Sequence, residues 1–375
     1  MAGLYLHIPF CKQACHYCDF HFSTQQDGKG KMVEALCQEL LLQKEYLEGE
    51  FIETIYFGGG TPSLLSCHEL EKLLKSIRAN HHVEAKEMTL EANPDDLTTE
   101  NLLRLKELGI NRLSIGIQSF DDHILRFLNR PHTSQDAIKG YDQARKTGFA
   151  NLSLDLIYAV PGQPHEAWKK NIERAIALMP EHISAYSLTI EEKTVFGNRQ
   201  KKGKFLAEKD EVAATQMEML IDLLGGAGYE HYEISNFCKP GFHSKHNSSY
   251  WQQKKYLGIG PSAHSYNGTS RQFNIPNNSL YIRSIEQGKV HFEKEVLSRA
   301  NKINEYVLTT LRTAWGCNID YLKNEFDHDL LQESTSVLHL FFANGLLEKR
   351  DQLLLLTPKG KLLADKIAAA LFVNE

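Results

Sequence analysis

Three cysteines stand within eight residues near the start of the chain. They are Cys11, Cys15 and Cys18, in the segment PFCKQACHYCDF, with the spacing C-x3-C-x2-C. A structural zinc site normally takes four protein ligands in two separated pairs, and the remaining cysteines of this chain are isolated. Thiolates also hold iron, and three of them can bind three corners of a 4Fe-4S cube. We therefore predict a 4Fe-4S cluster with one iron open to an exogenous ligand, in preference to a zinc site or a redox C-x-x-C pair.

Composition and charge disfavour a disordered, secreted or nucleic-acid-binding protein. The 375 residues are 42% hydrophobic and 24% charged, as in ordinary globular proteins. The net charge of -5 gives no general attraction to nucleic acid or to an anionic membrane. The opening segment MAGLYLHIPF lacks the basic and long apolar parts of a signal peptide. We expect a cytoplasmic protein that binds no nucleic acid and associates with membranes at most peripherally.

Up to about residue 230, short runs rich in β-branched and aromatic residues alternate with amphipathic helical segments. The strand candidates are residues 4–8, 51–57, 87–92, 112–118, 151–160 and 182–190. The connections are too long for hairpins, so parallel strands joined by crossover helices are expected. Because a closed barrel of this kind has eight units, six predict an α/β fold with a partial (β/α)6 TIM-like barrel. A doubly wound sheet is the structural alternative.

We divide the chain into three parts. Residues 1–230 are predicted to form the partial barrel, and residues 231–294 a linking region rich in Asn, Ser and Gly. Residues 295–375 are predicted to form a mostly helical domain of winged-helix type. That last part carries 9 Lys and Arg against 11 Asp and Glu, a net charge of -2, which offers no basic face to DNA. We expect it to pack on the barrel as a lid.

Polar residues fall at the carboxyl ends of the candidate strands, which is the face where barrel enzymes build their sites. The second strand is followed by GGGTPS (58–63), which includes Gly60 and Thr61, and the later strands end near Glu91, Gln118, Asp155 and Tyr186. We expect these residues to surround one mouth together with the cysteine loop. Tyr186 alone is interpreted as structural.

The cysteine spacing after a first strand, with an aromatic residue before the last cysteine, resembles the radical S-adenosylmethionine (SAM) superfamily. The resemblance implies that SAM chelates the open iron and that the cofactor carries the radical chemistry. It also implies a protein reductant such as flavodoxin or ferredoxin. The residues implied to contact SAM are Gly60, Thr61, Glu91, Gln118, Arg130 and Asp155, with Tyr5 and Tyr17 beside the cluster.

Five segments together resemble the oxygen-independent coproporphyrinogen III oxidase group over nearly the whole chain. They are YLHIPFCKQACHYCDF, GGGTPS, RLSIGIQSF, LDLIYAVPGQ and SLTIEE. The oxidase branch carries a further cysteine two residues after the third, where this chain has Phe20, and a longer segment ahead of the cluster loop. Members of the HemW branch bind heme and are regarded as heme chaperones. We therefore favour a heme chaperone that hands heme to an acceptor protein. A coproporphyrinogen III oxidase is the alternative, and a cluster protein without SAM chemistry is the third hypothesis.

The segment HNSSYW (246–251) resembles the H-N-x-x-Y-W motif of the HemW branch. Imidazole can ligate heme iron, and Tyr and Trp offer flat apolar surface to a porphyrin. The resemblance therefore implies that His246 is a heme ligand, whereas an ordinary structural histidine is the alternative. His7 and His264 are secondary candidates, and the mode of attachment, covalent or coordinate, stays open.

Overall fold

The computed structural model describes residues 1–374, whose strands form two sheets. The main sheet contains β1 (Ala2–Ile8), β2 (Ile52–Gly59), β3 (Val83–Ala92), β4 (Arg112–Gln118), β5 (Leu152–Tyr158), β6 (His182–Ser187), β7 (Glu230–Glu233), β8 (Asn236–Cys238), β9 (Tyr256–Ile259), β10 (His264–Tyr266), β11 (Ser270–Asn274) and β12 (Phe292–Val296). The small sheet contains β13 (Cys317–Asn318), β14 (Leu347–Arg350) and β15 (Leu353–Leu356).

The helices cover the main sheet and build the C-terminal part. They are α1 (Lys29–Leu42), α2 (Cys67–Asn80), α3 (Thr99–Glu107), α4 (Asp122–Phe127), α5 (Ser134–Lys146), α6 (His165–Leu178), α7 (Val195–Lys201), α8 (Asp210–Gly226), α9 (Lys245–Trp251), α10 (Asn278–Glu286), α11 (Arg299–Leu311), α12 (Ile319–Phe326), α13 (Leu330–Glu333), α14 (Thr335–Ala343), α15 (Pro358–Lys361) and α16 (Ala364–Ala369).

The first six strands lie side by side and parallel, in chain order. The whole sheet has the order β12-β11-β10-β9-β1-β2-β3-β4-β5-β6-β8-β7, so β12 and β7 are its two edges and hydrogen bonds do not close it. The predicted α/β fold with a partial barrel is therefore confirmed. Residues 231–294, the predicted linking region, add strands to both edges of the sheet.

The two faces of the parallel strands differ in polarity. On β1, Leu4, Leu6 and Ile8 are fully buried in the apolar core shared with the helices. Because side chains alternate along a strand, Tyr5 and His7 point to the opposite face, into the barrel. Both faces of these strands are covered, so the strands are largely buried. The face that points into the barrel nevertheless carries polar side chains.

The C-terminal part has its own apolar core, which includes Ile303, Val307 and Leu354. Its elements follow the order helix, strand, three helical segments and two strands, a winged-helix-like pattern, and this agrees with the predicted fold class. It is anchored by Arg312, whose guanidinium lies 3.0 Å from the carboxylate of Glu233 and 5.6 Å from the Trp251 ring centroid.

The C-terminal domain packs on the barrel away from the large cavity. Its contacts include β7, α9 and an ion pair between Arg271 of β11 and Glu305 (2.9 Å), and Tyr232 of β7 shares a hydrogen bond with His182, the first residue of β6. It therefore packs toward the amino ends of the parallel strands, at the opposite end from the cysteine loop. Charge and helical pattern predicted a packing domain, but no local signal in the sequence marks which end of the barrel it meets.

No helix within residues 1–374 is both long and apolar enough to cross a bilayer.

A buried carboxyl group fastens the added strands to the helix layer. Glu39 of α1 is fully buried and accepts hydrogen bonds from the Gly260 amide (2.7 Å), the Asn274 side-chain amide (2.7 Å) and the Tyr281 hydroxyl (2.5 Å). Burial raises the pKa of Glu39 to about 7, and these hydrogen bonds oppose the shift. One carboxyl thus links α1 to β11 and α10.

We predict that Glu39→Gln removes part of the pH dependence of stability. Between about pH 4.5 and about 7 the folded protein keeps a proton on Glu39 that the unfolded chain has released, so the free energy of unfolding falls as the pH rises. The loss is at most about 3 kcal/mol, because each tenfold change in proton affinity corresponds to about 1.4 kcal/mol. Urea unfolding on either side of that interval should show a smaller difference in Glu39→Gln than in the wild type. The exposed Glu34→Gln on the same helix is the control, and an equal pH dependence in all three proteins would contradict the prediction.

Candidate cofactor site

One cavity of about 540 Å³ opens at the carboxyl ends of β2 to β6. Most of the residues singled out from the sequence line it, namely Cys11, Cys15, Tyr17, Cys18, Gly60, Thr61, Glu91, Gln118, Arg130, Asp155 and Tyr186. Tyr5, His7, His246 and His264 are not among its lining residues. The volume lies in the range of cavities that hold a cofactor of ordinary size.

Backbone contacts with the glycine turn after β2 hold the first part of the cysteine loop. The Gly60 amide donates to the Ile8 carbonyl (2.9 Å), and the Thr61 amide donates to the Phe10 carbonyl (2.7 Å). A Cβ added to Gly60 would lie only 2.6 Å from the Phe10 carbonyl oxygen, so this approach requires glycine. The glycine run thus positions the residue next to Cys11.

The segment that ends α4 holds the other side of the loop. The His16 amide donates to the Leu128 carbonyl (3.1 Å), and the Asn129 side chain donates to the Ala14 carbonyl (2.7 Å). The Gln13 side-chain amide in turn donates to Asn129 (2.8 Å to Oδ1). Loop residues between the cysteines are therefore fixed by main-chain and amide contacts from a different part of the chain.

Hydrogen-bond donors face two of the three sulfur atoms. The Arg130 guanidinium donates to Cys15 Sγ (3.3 Å), and the Thr61 hydroxyl donates to Cys11 Sγ (3.5 Å). Burial raises the pKa values of Cys11 and Cys18, and the hydroxyl of Thr61 opposes the shift at Cys11. Arg130 also binds the Asn93 side chain (2.6 Å) and the Gly116 carbonyl, so its position is set by several partners.

Two partly buried carboxyl groups line the same cavity. Glu91 accepts hydrogen bonds from the Tyr56 hydroxyl (2.7 Å) and from the Gly59 amide (3.2 Å), and burial raises its pKa to about 7. Asp155 accepts a bond from the Ser114 hydroxyl (3.2 Å), and burial raises its pKa to about 6 against the opposing charge of Arg112. Both groups would be stabilised in their charged form by a cationic ligand.

Gln118 adopts a backbone conformation that side chains other than glycine seldom adopt, with φ of 66°. The strand register shifts between Ile115 and Gln118, so a bulge at the end of β4 turns this side chain into the cavity. Such strain persists where the surrounding structure imposes it, and it is frequent at binding sites.

Tyr5 lies one layer below the cavity. Its ring stacks on that of Tyr56 (centroids 6.1 Å apart), and its hydroxyl lies 3.2 Å from Nδ1 of His7. His7 in turn contacts the His21 carbonyl through Nε2 (2.8 Å), and burial lowers the pKa of His7 to about 4. Tyr5 therefore reaches the cavity through Tyr56, while His264 lies at the start of β10 and does not line the cavity.

His246 is enclosed beneath the barrel. It is only 1% exposed, and its ring stacks on Tyr56 at a centroid distance of 5.0 Å. Nδ1 lies 2.8 Å from the Thr54 hydroxyl and Nε2 lies 2.8 Å from the Tyr250 hydroxyl, so both ring nitrogens are hydrogen bonded. Burial lowers its pKa to about 3, which keeps the ring neutral. In this structure His246 has no free nitrogen to offer a heme iron.

Helix α9, which carries His246, closes the barrel at its base. The Glu87 carboxylate accepts hydrogen bonds from the amides of Lys245 and His246 (both 2.9 Å), at the start of the helix, where a negative charge is stabilising. Asn247 lines the large cavity, whereas Ser248 and Ser249 line a second cavity of about 290 Å³. The helix therefore separates the two cavities.

Several residues of this arrangement were not identified from the sequence. They are Thr54, Tyr56, Glu87, Asn93, Ser114, Asn247 and Tyr250. A signal was present in part, because polar residues alternate with apolar ones at Thr54 and Tyr56 of β2 and at Glu87, Thr89 and Glu91 of β3, which is unusual for strands covered on both faces. Tyr250 belongs to the HNSSYW segment, but its role as the partner of His246 depends on helix spacing.

Comparisons with known proteins agree with this geometry. Residues 5–175 match the radical SAM superfamily, and residues 297–363 match the HemN C-terminal domain. The chain is similar to the heme chaperone HemW of Bacillus subtilis, with 36% identity over 379 residues that cover 100% of both chains. This chain belongs to the HemW family of radical SAM proteins. The family also includes the heme chaperone HemW of Escherichia coli, 38% identical over 70% of this chain and 69% of that protein.

A solved structure shows the same fold outside the HemW family. Coproporphyrinogen III oxidase (HemN) from Escherichia coli has a TM-score of 0.85, covering 99% of this chain and 90% of that chain, at 24% sequence identity. The partial barrel and the C-terminal domain are thus a shared architecture of radical SAM proteins in both groups.

We predict that Gly60→Ala displaces the cysteine loop and lowers cluster content several-fold. The added methyl group would overlap the carbonyls of Ile8 and Phe10, and overpacking of this kind costs about 1–3 kcal/mol. Iron and sulfide per chain, measured after anaerobic reconstitution, report the effect. Gly30→Ala is the matched control, because nothing lies within 4 Å of an added Cβ there. Equal cluster content in the two variants would show that the close approach is not needed.

Proposed function

We propose that Cys11, Cys15 and Cys18 hold a 4Fe-4S cluster. The proposal is supported by three thiols around one cavity, with Arg130 and Thr61 donating to two of the sulfurs. Among residues 1–374, the group of three metal-ligand side chains with donor atoms within 4.8 Å of one another lies elsewhere in the chain and does not include these cysteines. The three thiols are therefore spaced too widely for a single ion. Bound there, the cluster would supply one-electron chemistry at an iron that no protein side chain ligates.

The rest of the cavity suits SAM, whose amino acid part carries an ammonium and a carboxylate beside a sulfonium. Glu91 and Asp155 would face its cationic groups, and Arg130 and Gln118 would bind its polar atoms. Gly60 and Thr61 would contact it through the turn after β2, and Tyr17 would pack beside the cluster. Tyr5 would act indirectly, by supporting Tyr56.

We further propose that the protein binds heme and transfers it to an acceptor protein. Support comes from the match over the whole chain with proteins named heme chaperone, and from Phe20 where the oxidase branch has a further cysteine. The chain division into residues 1–230, 231–294 and 295–375 remains part of this proposal. A flavodoxin or ferredoxin would supply the electron for the cluster. The free cysteines of this chain suit a reducing compartment such as the cytoplasm.

We expect the reconstituted protein to bind hemin one to one, with a saturable Soret band, and to leave coproporphyrinogen III intact in an anaerobic assay with SAM and reductant. The two measurements separate the chaperone from the oxidase. Oxidative loss of propionate carboxyl groups would replace the proposal with the enzyme, and unsaturable hemin binding would remove the chaperone.

For SAM, we predict that Asp155→Asn lowers affinity about tenfold. The amide can still meet the Ser114 hydroxyl but no longer carries a charge, and a charge-assisted hydrogen bond contributes about 1.5–3 kcal/mol. Calorimetric titration of cluster-loaded protein with SAM measures the change. Asp142→Asn, an exposed carboxylate on α5, is the control, and unchanged affinity in Asp155→Asn would place SAM elsewhere.

His246 as heme ligand carries a structural condition, because its nitrogens must first leave Thr54 and Tyr250. If it ligates iron, Tyr250→Phe frees Nε2 and should raise heme affinity by about fivefold, since a hydrogen bond contributes about 1 kcal/mol. His246→Ala should weaken the saturable Soret band that hemin binding produces. Hemin titration with both variants decides the question, and unchanged heme binding in both would leave His246 a structural residue of the barrel base.

A further inference from the structure

A second group of metal-ligating side chains lies at the amino end of the parallel strands, away from the cysteine loop. Glu230 begins β7 and Cys238 ends β8, and the two residues face each other across the hairpin. Cys238 also pairs with His182, the first residue of β6, which fixes the group at that end of the barrel. His243 follows in the loop before α9.

The donor atoms of these three residues converge. A carboxylate oxygen of Glu230, Sγ of Cys238 and a ring nitrogen of His243 all lie within 4.8 Å of one another. The distance from Nε2 of His243 to Oε2 of Glu230 is 3.3 Å. Tetrahedral zinc, with bonds of about 2.0–2.1 Å to nitrogen and oxygen, separates two such ligands by about 3.3 Å.

We propose that Glu230, Cys238 and His243 form a binding site for one divalent transition metal ion of the zinc class. Thiolate, imidazole and carboxylate together suit an ion of intermediate softness, and Mg²⁺ or Ca²⁺ would prefer oxygen ligands alone. The site goes beyond the cluster, SAM and heme, and it does not depend on any of them. A zinc to sulfur bond of about 2.3 Å to Cys238 would complete the set.

The surroundings hold the ligands in place before any ion arrives. The ring of His243 packs edge-on against Tyr232 (centroids 4.7 Å apart) and lies 6.1 Å from Trp315. The Phe242 amide donates to the Lys239 carbonyl (3.0 Å), which turns the chain between the cysteine and the histidine. Three ligands within fourteen residues of sequence therefore sit on a hairpin and one tight turn.

The accessibility of the group also fits a bound ion. Cys238 is fully buried, so a bond to its sulfur would be shielded from solvent. Binding would replace the sulfur to hydrogen bond with a sulfur to metal bond and release the proton to solvent. His243 lines the cavity of about 290 Å³, together with Ser248 and Trp315, so a fourth coordination position faces this space and would take water or a small ligand.

Occupancy would join the β7–β8 hairpin to the turn that starts α9. Ser244, the residue after His243, caps this helix by accepting a hydrogen bond from the Asn247 amide (3.3 Å). A metal held by His243 would therefore restrain the first turn of the helix that carries His246. Loss of the ion would loosen the same turn.

Cobalt(II) tests the proposal in cluster-loaded protein. We expect one equivalent to give a sulfur-to-cobalt charge-transfer band that Zn²⁺ displaces, while the absorption of the cluster stays constant. Cys238→Ser should abolish the band, and His243→Gln should weaken binding at least roughly tenfold. Zn²⁺ should also raise the Tm of the wild type and not that of the variants.

Cys67→Ser is the matched control, since that half-buried cysteine starts α2 in the helix layer. His243→Gln affects a partly exposed side chain, so it remains informative if Cys238→Ser fails to fold. A band that persists in Cys238→Ser, or no stoichiometric band in the wild type, would overturn the proposal. The cluster absorption and the hemin titration are measured on the same protein as the cobalt band. A negative cobalt result would therefore leave the proposed cluster and heme binding intact, and a negative hemin result would leave the metal site intact.

Discussion

The cavity depends on how one irregular loop is held against the ends of parallel strands. The loop between β1 and α1 carries all three clustered cysteines. If the loop were unsupported, the conformational entropy lost on ordering it would offset the binding free energy of a cofactor. Its ends are fixed by amides of Gly60 and Thr61 on one side and by Asn129 on the other. These contacts come from separate crossover units, so the loop is ordered only when the barrel has formed.

The second constraint is the polar interior of the barrel. Hydrogen bonds connect Glu91 with Tyr56, Ser114 with Asp155 and, near the base, Ser153 with His182. Buried polar groups are costly unless they are paired, so each of these pairs fixes the position of its members. The carboxyl groups in the cavity are thus held in fixed positions by neighbouring hydroxyl groups.

Helix α9 connects this interior with the C-terminal domain. His246 and Tyr250 fill the base beneath Tyr56, while Trp251 lies under the guanidinium of Arg312. Arg312 also pairs with Glu233, which follows the hairpin residue Glu230 by three positions. A movement of the C-terminal domain would therefore be transmitted through α9 to His246, which stacks on Tyr56 in the lining of the large cavity.

The sequence by itself determined the cluster loop, the six parallel strands, the open barrel and most of the cavity. Cysteine spacing and strand ends are local features, and parallel strands necessarily bring their carboxyl ends to one edge, so Glu91, Gln118 and Asp155 could be grouped without coordinates. The motif around His246 was visible too. Its burial was not, because it depends on Thr54 and Tyr56, nearly two hundred residues away in the chain.

Tertiary structure alone decided where the later segments go. Residues 231–294 carry weak local signals, and strand pairing with β1 and β6 depends on edges that exist only after the barrel has formed. The same holds for Glu230, Cys238 and His243, which lie within fourteen residues of sequence but meet only because a hairpin and a turn bring their side chains together. Local patterns fix elements and their alternation, whereas contacts between distant segments depend on packing that no short stretch of sequence encodes.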